Sequence, residues 1–155
     1  MGLFKYTLKF ILMIAMLMAV ISCGGPIIKV DVSSTSNLNI NNNNQALPVV
    51  VRIYQLSDKG IFESSTFKQL WKNDSKALSN TMLTKNEIIL NPSSKDRIVL
   101  DRHNDAKYVG VVAIFRTPGQ HQWRGIYELS TNFLGKRLSS SFDVSLVGNS
   151  LHITN

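Results

Sequence analysis

Three kinds of side chain in this sequence have the chemistry for a reaction: one cysteine, three histidines and ten acids. His103, His121 and His152 form no HExxH motif and no pair at helical spacing, and there is no cysteine beside them to complete a zinc set. Asp101, His103 and Asp105 alternate along a polar stretch. That crudely resembles a metal cluster, although a solvated loop is the simpler reading. Glu63, Glu87 and Glu128 are too far apart in sequence to argue a carboxylate pair. Serines are plentiful, but none occupies a GxSxG elbow, and there is no glycine-rich phosphate loop. No catalytic constellation results, so neither an enzyme activity nor a bound cofactor is expected. The thiol of Cys23 is left as the one distinctive reactive group.

The setting of Cys23 gives its chemistry. Residues 1–9 carry Lys5 and Lys9 and no acid, and Phe10 to Ile21 is a continuous apolar run. A dozen residues are too few for a membrane-spanning helix, which needs roughly 20. A basic start followed by a short apolar run is a secretory signal, to be excluded from the fold. Val20-Ile21-Ser22-Cys23 is similar to the bacterial lipobox. That resemblance implies a diacylated Cys23 thiol, cleavage before it, and acylation of the new amine. It also accounts for a lone cysteine in a secreted chain, which otherwise lacks a disulfide partner. The alternative is an ordinary signal peptide with an incidental cysteine. Burial contributes roughly 0.8 kcal/mol per acyl methylene, and more than one chain makes residence stable. Position 24 is Gly rather than the Asp that resembles an inner-membrane retention signal, so the outer membrane is the expected address.

Removing residues 1–22 leaves 133 residues, enough for one domain with a core that needs no disulfide. The formal charge of +7 falls to +5 without Lys5 and Lys9. The basic residues are scattered, and a periplasmic address argues against nucleic acid. Anionic headgroups or an acidic protein face would match this charge, as would a solvated surface with no specific partner.

The elements that must position these groups read mostly as strands. Ile28, Val30 and Val32 alternate with Lys29, Asp31 and Ser33, the period of a half-buried strand. Leu47–Leu56 follows, and then Glu87–Leu90 and Arg97–Leu100 on either side of an Asn-Pro-Ser-Ser turn. Tyr108–Phe115 is nearly all apolar, as in a strand covered on both faces. Gln122–Leu129, Ser139–Val147 and Ser150–Thr154 complete the set, the last two joined by Gly148-Asn149, a two-residue hairpin loop of the Gly-first type. Many short strands separated by turns predict a sandwich. Between Glu63 and Leu83 the apolar residues fall three to five apart. This predicts one or two short helices, capped by Ser64 or Ser65 and by Asp74 or Ser75, that cover one end or face of the sandwich. Phe67 and Trp71 are read as packing there rather than as a cofactor box.

Ser33 to Gln45 is the outlier. Asparagine favours turns and left-handed backbone, which predicts a long loop between the first two strands. Leu38 and Ile40 stand isolated in it, either as anchors for a partner or folded back onto the sandwich. The Asn41–Asn44 run reads as a flexible insertion.

Leu47-Pro48-Val49-Val50-Val51-Arg52-Ile53-Tyr54-Gln55-Leu56 resembles the second-strand signature of the TssJ (SciN-type) lipoproteins of type VI secretion systems. The likeness continues through Phe62, Phe67-Lys68-Gln69-Leu70-Trp71, the Tyr108–Arg116 segment and Trp123, so it spans essentially the whole mature chain. Around Asn39 the family tends to have Pro or Asp next and a short polar turn, whereas this chain has Ile40 and the Asn run.

The resemblance implies a mainly β chain: a transthyretin-like sandwich of two four-stranded sheets with a short helical insertion. The corresponding boundaries are 1–22 for the signal peptide, 23–27 for the lipidated tether and 28–155 for the domain, with the helical insertion at about 63–83. It implies an outer-membrane lipoprotein that binds the periplasmic C-terminal region of a TssM-like inner-membrane protein, and so belongs to a trans-envelope complex with no nucleic-acid or small-molecule partner. The family's contact loop maps to Ser36, Asn37, Leu38, Asn39, Ile40, Asn41, Asn42, Asn43, Asn44 and Gln45. A lipid-anchored carrier of a small apolar ligand, held between the sheets or at their mouth, is the competing reading.

Overall fold

In the computed structural model, residues 24–118 and 122–154 are described. Residues 1–22, expected above to be a signal peptide, lie outside them, as do Cys23 and His121. Eight strands form two sheets: β1 Ile27–Ser34, β2 Val49–Leu56, β3 Met82–Leu90, β4 Lys95–Asp101, β5 Tyr108–Ile114, β6 Arg124–Glu128, β7 Ser140–Val147 and β8 Ser150–Thr154. One sheet has the order β4-β1-β7-β8 and the other β3-β2-β5-β6. All pairings are antiparallel except β1 with β7.

Alternation in β1 works as its sequence predicts. Ile28, Val30 and Val32 point into the core, while Lys29, Asp31 and Ser33 face outward. Phe142, Val144 and Leu146 of β7 join them from the same sheet. The facing sheet contributes Val51, Ile53, Val109, Val111 and Ala113, which register directly across β2 and β5. Tyr127 stacks on Phe142 between the sheets, with ring centroids 4.3 Å apart. Gly125 sits where an added methyl would lie 2.7 Å from Ile153, so this edge closes only without a side chain there.

The other face of the β2–β5 sheet is covered as well, which is why β5 is apolar throughout. Three short helices lie over it: α1 Gly60–Ser64, α2 Phe67–Lys72 and α3 Asp74–Ala77. Phe62 of α1 packs on Gly110 of β5, where an added Cβ would come within 2.7 Å of its ring. The helical stretch is therefore three pieces and ends earlier than periodicity predicts. Met82 and Leu83 open β3 instead, and Met82 pairs with Leu56 next to a register shift. The reason is the Leu78-Ser79-Asn80-Thr81 turn, whose Thr81 carbonyl accepts from Ser57 N. The first cap also differs from the Ser64 or Ser65 prediction. Thr66 caps α2 in a reciprocal box with Gln69, whose side chain accepts from Thr66 N at 2.8 Å. Asn73, not Asp74 or Ser75, is the N-cap residue of α3.

Ion pairs and carbonyl contacts fasten the helices. Arg52 of β2 donates Nη1 to the Leu70 and Trp71 carbonyls at 2.8 and 2.9 Å, and Nε to Glu87 at 2.7 Å. Asp74 accepts from Tyr54 Oη at 2.8 Å and pairs with Lys85 at 2.7 Å. Burial alone would raise the Asp74 pKa, but the hydrogen bonds from Lys85, Tyr54 and Ser75 outweigh it and hold the carboxyl below its ordinary 3.8. Burial, together with the neighbouring carboxylate, raises the Tyr54 pKa. Arg124 of β6 donates to the carbonyls of Phe62, Glu63 and Ser65, and its guanidinium stacks over Trp123, 4.7 Å from the ring centroid.

Candidate functional site

The β1–β2 connection is built from asparagine chemistry. Asn39 takes a left-handed backbone, φ +48°, at low cost for this residue. Its buried side chain donates to the Pro48 carbonyl at 2.9 Å and accepts from Arg116 N at 2.9 Å, so one amide joins both flanks of the loop to the end of β5. Its backbone N donates to the Gly148 carbonyl at 3.0 Å. Gly148, φ +58°, forms the β7–β8 turn and donates its own N to Thr35 Oγ1 at 3.1 Å. Leu38 is completely buried, which settles it as folded back onto the sandwich.

The Asn run carries hydrogen bonds of its own. Asn41 Oδ1 accepts from Asn43 N at 2.9 Å and from Gln45 N at 3.0 Å, while Asn41 Nδ2 donates to Gln45 Oε1 at 3.0 Å. Asn44 adds a second left-handed residue, φ +57°. This clasp presents Asn42, Asn43, Asn44 and Gln45 to solvent, together with Ser36 and Asn37 nearer β1. The ten loop residues therefore divide. Leu38 and Asn39 are internal supports, Ile40 and Asn41 are half-buried, and the other six are displayed.

Beside this loop runs a groove of about 370 Å³, walled by Ile40 and Asn42 on one side and by Phe67, Trp71 and the Ile114–Thr117 segment on the other. Phe67 is wedged edge-on against Trp123, with centroids 5.1 Å apart, and lies 6.1 Å from Trp71. Trp71 itself is 46% exposed. It is thus not the core residue its spacing suggests. Helix α2 is held along its inner face by Phe67, Leu70 and the Arg52 contacts, and Trp71, next after Leu70, is left with its indole partly outward. Exposed Arg116 lies at the groove's rim. Sequence reasoning missed Trp71 and Arg116 as site residues. The helical register that buries Leu70 was the only available clue for the tryptophan.

Elsewhere the chemistry-bearing residues are dispersed. His103 Nδ1 accepts from Asp105 N at 3.2 Å within an exposed turn, and Gln55 ties that turn to the sandwich by accepting from His103 N at 2.7 Å. No group of three or more His, Cys, Asp or Glu side chains suited to a metal occurs among the described residues. No described helix is long and apolar enough to cross a membrane. Buried apolar side chains of both sheets form one cluster between them. Two depressions of about 680 Å³ each open on the surface, and one is a polar trough along β1, β4 and β7.

The family model for type VI secretion lipoproteins (VasD, EvfM, TssJ) matches residues 26–148. No curated protein matches the chain. Among solved structures, the chain is similar to the type VI lipoprotein TssJ1 from Pseudomonas aeruginosa, with 22% identity over 84% of this chain and 95% of that one and a TM-score of 0.75. It is also similar to Serratia marcescens Lip, a membrane-bound component of the type VI secretion system, at 16% identity over 83% and 97% with a TM-score of 0.76. A chain in the structure described as the TssM C-terminal domain (869-1107) from EAEC aligns at 23% identity over 83% and 98%, with a TM-score of 0.69. At these identities the structural likeness speaks for the two-sheet sandwich, and the match over residues 26–148 speaks for the lineage.

Proposed function

The chain belongs to the type VI secretion lipoprotein family, and from that premise we propose that it is a structural link, held in the outer membrane through lipid on Cys23 and gripped at its far end by the periplasmic C-terminal region of a TssM-like protein. The observation that carries this reading is the placement of the two ends. Gly24 to Pro26 precede β1, whereas the Asn-clasped loop follows it, and the eight residues of β1 span about 26 Å. A tether and a grip on opposite ends of one rigid strand transmit position without any chemical step.

The grip consists of the displayed amides Asn42, Asn43, Asn44 and Gln45 and the Trp71 groove beside them. Amides with unfilled donors and acceptors around an exposed tryptophan suit a protein partner, because tryptophan anchors contribute disproportionately to such interfaces. Leu38 and Asn39 serve the same interface by holding the loop's shape from inside.

Co-purification of this chain with the periplasmic region of its TssM-like neighbour tests the reading. Replacing Asn42–Asn44 with Gly-Ser-Gly together with Trp71→Ala should weaken binding at least tenfold without unfolding the domain. Unchanged affinity would remove this end from the interface.

A further inference from the structure

The end of the sandwich next to the tether carries a surface that the link itself does not use. Between β6 and β7 the chain turns through Phe133, Leu134 and Leu138, whose side chains are 73%, 70% and 64% exposed. They are interleaved with exposed Lys136 and Arg137. Three large apolar groups left in water on one loop form an unusual patch for a small domain. The loop is nonetheless built rather than loose. Buried Arg102 donates to the carbonyls of Ser130, Gly135 and Ala106 at 2.7, 3.1 and 3.3 Å. Asn132 Oδ1 accepts from Gly135 N at 2.6 Å. A Cβ on Gly135 would stand 2.5 Å from that of Ser130, so the turn closes only around glycine. Arg137 stacks over the Phe133 ring at 4.5 Å.

The same arginine links this loop to the start of the domain. Arg102 N donates to the Pro26 carbonyl at 2.9 Å, and Ile27 N donates to Ser139 Oγ at 3.2 Å. Gly24 and Pro26 line one cleft with Lys136 and Arg137, opposite His103 and Asp105. Cys23 is joined to Gly24 by a single peptide bond. We propose that the Phe133–Leu138 loop is a second, non-covalent membrane contact, in which Phe133, Leu134 and Leu138 enter the headgroup region of a phospholipid surface while Lys136 and Arg137 engage its anionic phosphates. This rests on the lipidation of Cys23, which fixes a bilayer within reach of this end of the domain. Apolar side chains flanked by cationic ones match the layered chemistry of that interface. The consequence is orientation. An acyl tether alone lets the domain swivel, whereas a tether plus a wedge holds β1 upright, with the Asn loop facing away from the bilayer.

With the Cys23 sulfur acylated, Leu134→Cys supplies the only free thiol of the chain. The acylated protein carrying an environment-sensitive fluorophore there should be reconstituted in phosphatidylethanolamine–phosphatidylglycerol vesicles containing a doxyl-quencher lipid. Asn43→Cys on the opposite loop serves as the control. The expected result is blue-shifted emission and several-fold stronger quenching at position 134 than at position 43, with the difference reduced in a Lys136→Glu/Arg137→Glu background. Equal quenching at the two positions would overturn the proposal. So would shielding of position 134 that arises only when the TssM-like partner is added. Failure of the anchor reading shows separately, as an unmodified Cys23 in the intact mass. Leu134→Cys in a Cys23→Ser chain, added to phosphatidylglycerol vesicles at low ionic strength, then gives the same quenching comparison without the tether.

Discussion

The β1–β2 loop and the β6–β7 loop sit at opposite ends of the sandwich and are braced in the same way, yet they offer opposite surfaces. In each, one buried polar side chain takes several backbone groups at once: Asn39 joins Pro48 and Arg116, and Arg102 joins Ser130, Gly135 and Ala106. Neither loop depends on hydrophobic packing alone for its shape. Outward, the first shows amides and an indole, and the second shows aliphatic and aromatic carbon beside two cations. Bracing from within relieves most of the outward side chains, though not Gln45 or Arg137, of structural duty, so their chemistry bears on what they meet. A polar, hydrogen-bonding face suits a protein, and an apolar face with a basic fringe suits a bilayer.

The sharpest way to break this contrast is at the tether. Cys23→Ser should leave the thermal midpoint unchanged and move essentially all of the protein out of the salt-washed membrane fraction. Retention there would end the lipid-anchor reading.

The two braces come next. Arg102→Met removes three hydrogen bonds to carbonyls, of which only that of Gly135 keeps another donor, Leu138 N, and at about 1 kcal/mol per bond the cost is about 3 kcal/mol, or roughly 10 °C for a domain of this size. Burial already lowers the Arg102 pKa, but a guanidinium remains charged throughout the working range. Hydrogen exchange should accelerate at residues 130–138 while 39–47 stays protected. Asn39→Ala should cost about 2 kcal/mol by the same reasoning and reverse that pattern. If either variant loosens both loops equally, the ends are not independent.

A smaller effect is expected from acid. Because the Asp74 pKa is depressed in the fold, its contribution is complete above the unfolded value near 3.8 and declines as pH falls through the lower folded value. Protection of the α2 and α3 amides, taken relative to the intrinsic exchange rate at each pH, should be weaker at pH 3 than at pH 6, and Asp74→Asn should flatten that dependence. The smallest change in stability, within about 0.5 kcal/mol, belongs to Trp71→Ala and to the Asn42–Asn44 replacement, since both lie on the surface. These two should instead register in partner affinity, and a large loss of stability in either would reassign it to the core.

Much of this arrangement was legible beforehand, for physical reasons that also explain the rest. Ile28, Val30 and Val32 announce a half-buried strand because period two is intrinsic to the pleat. The uninterrupted apolar run of β5 announces two covered faces, and Gly148-Asn149 a tight hairpin. The burial of Leu38 and Asn39 could not be read locally, because the Asn39 partners lie at Pro48 and Arg116, and only the folded chain brings them together. For the same reason Arg52 and Arg124 read as ordinary basic residues until the helix carbonyls meet them. Thr66 was legible in principle, since Thr-Phe-Lys-Gln is a capping-box pattern. Phe133-Leu134-Gly135-Lys136-Arg137-Leu138 reads like any short apolar segment, and its exposure is evident only in the folded chain, where distant Arg102 holds the loop by its carbonyls.

As proposed above, one rigid domain is tethered at one end and gripped at the other. Vesicle flotation tests it most directly: the soluble periplasmic region of the TssM-like partner is mixed with the acylated chain and with its Cys23→Ser form. The partner should float with vesicles carrying the acylated chain. With Cys23→Ser it should bind the chain at the same affinity yet stay at the bottom of the gradient. A partner that floats equally with both forms, or that binds neither, would show that the chain is not such a link.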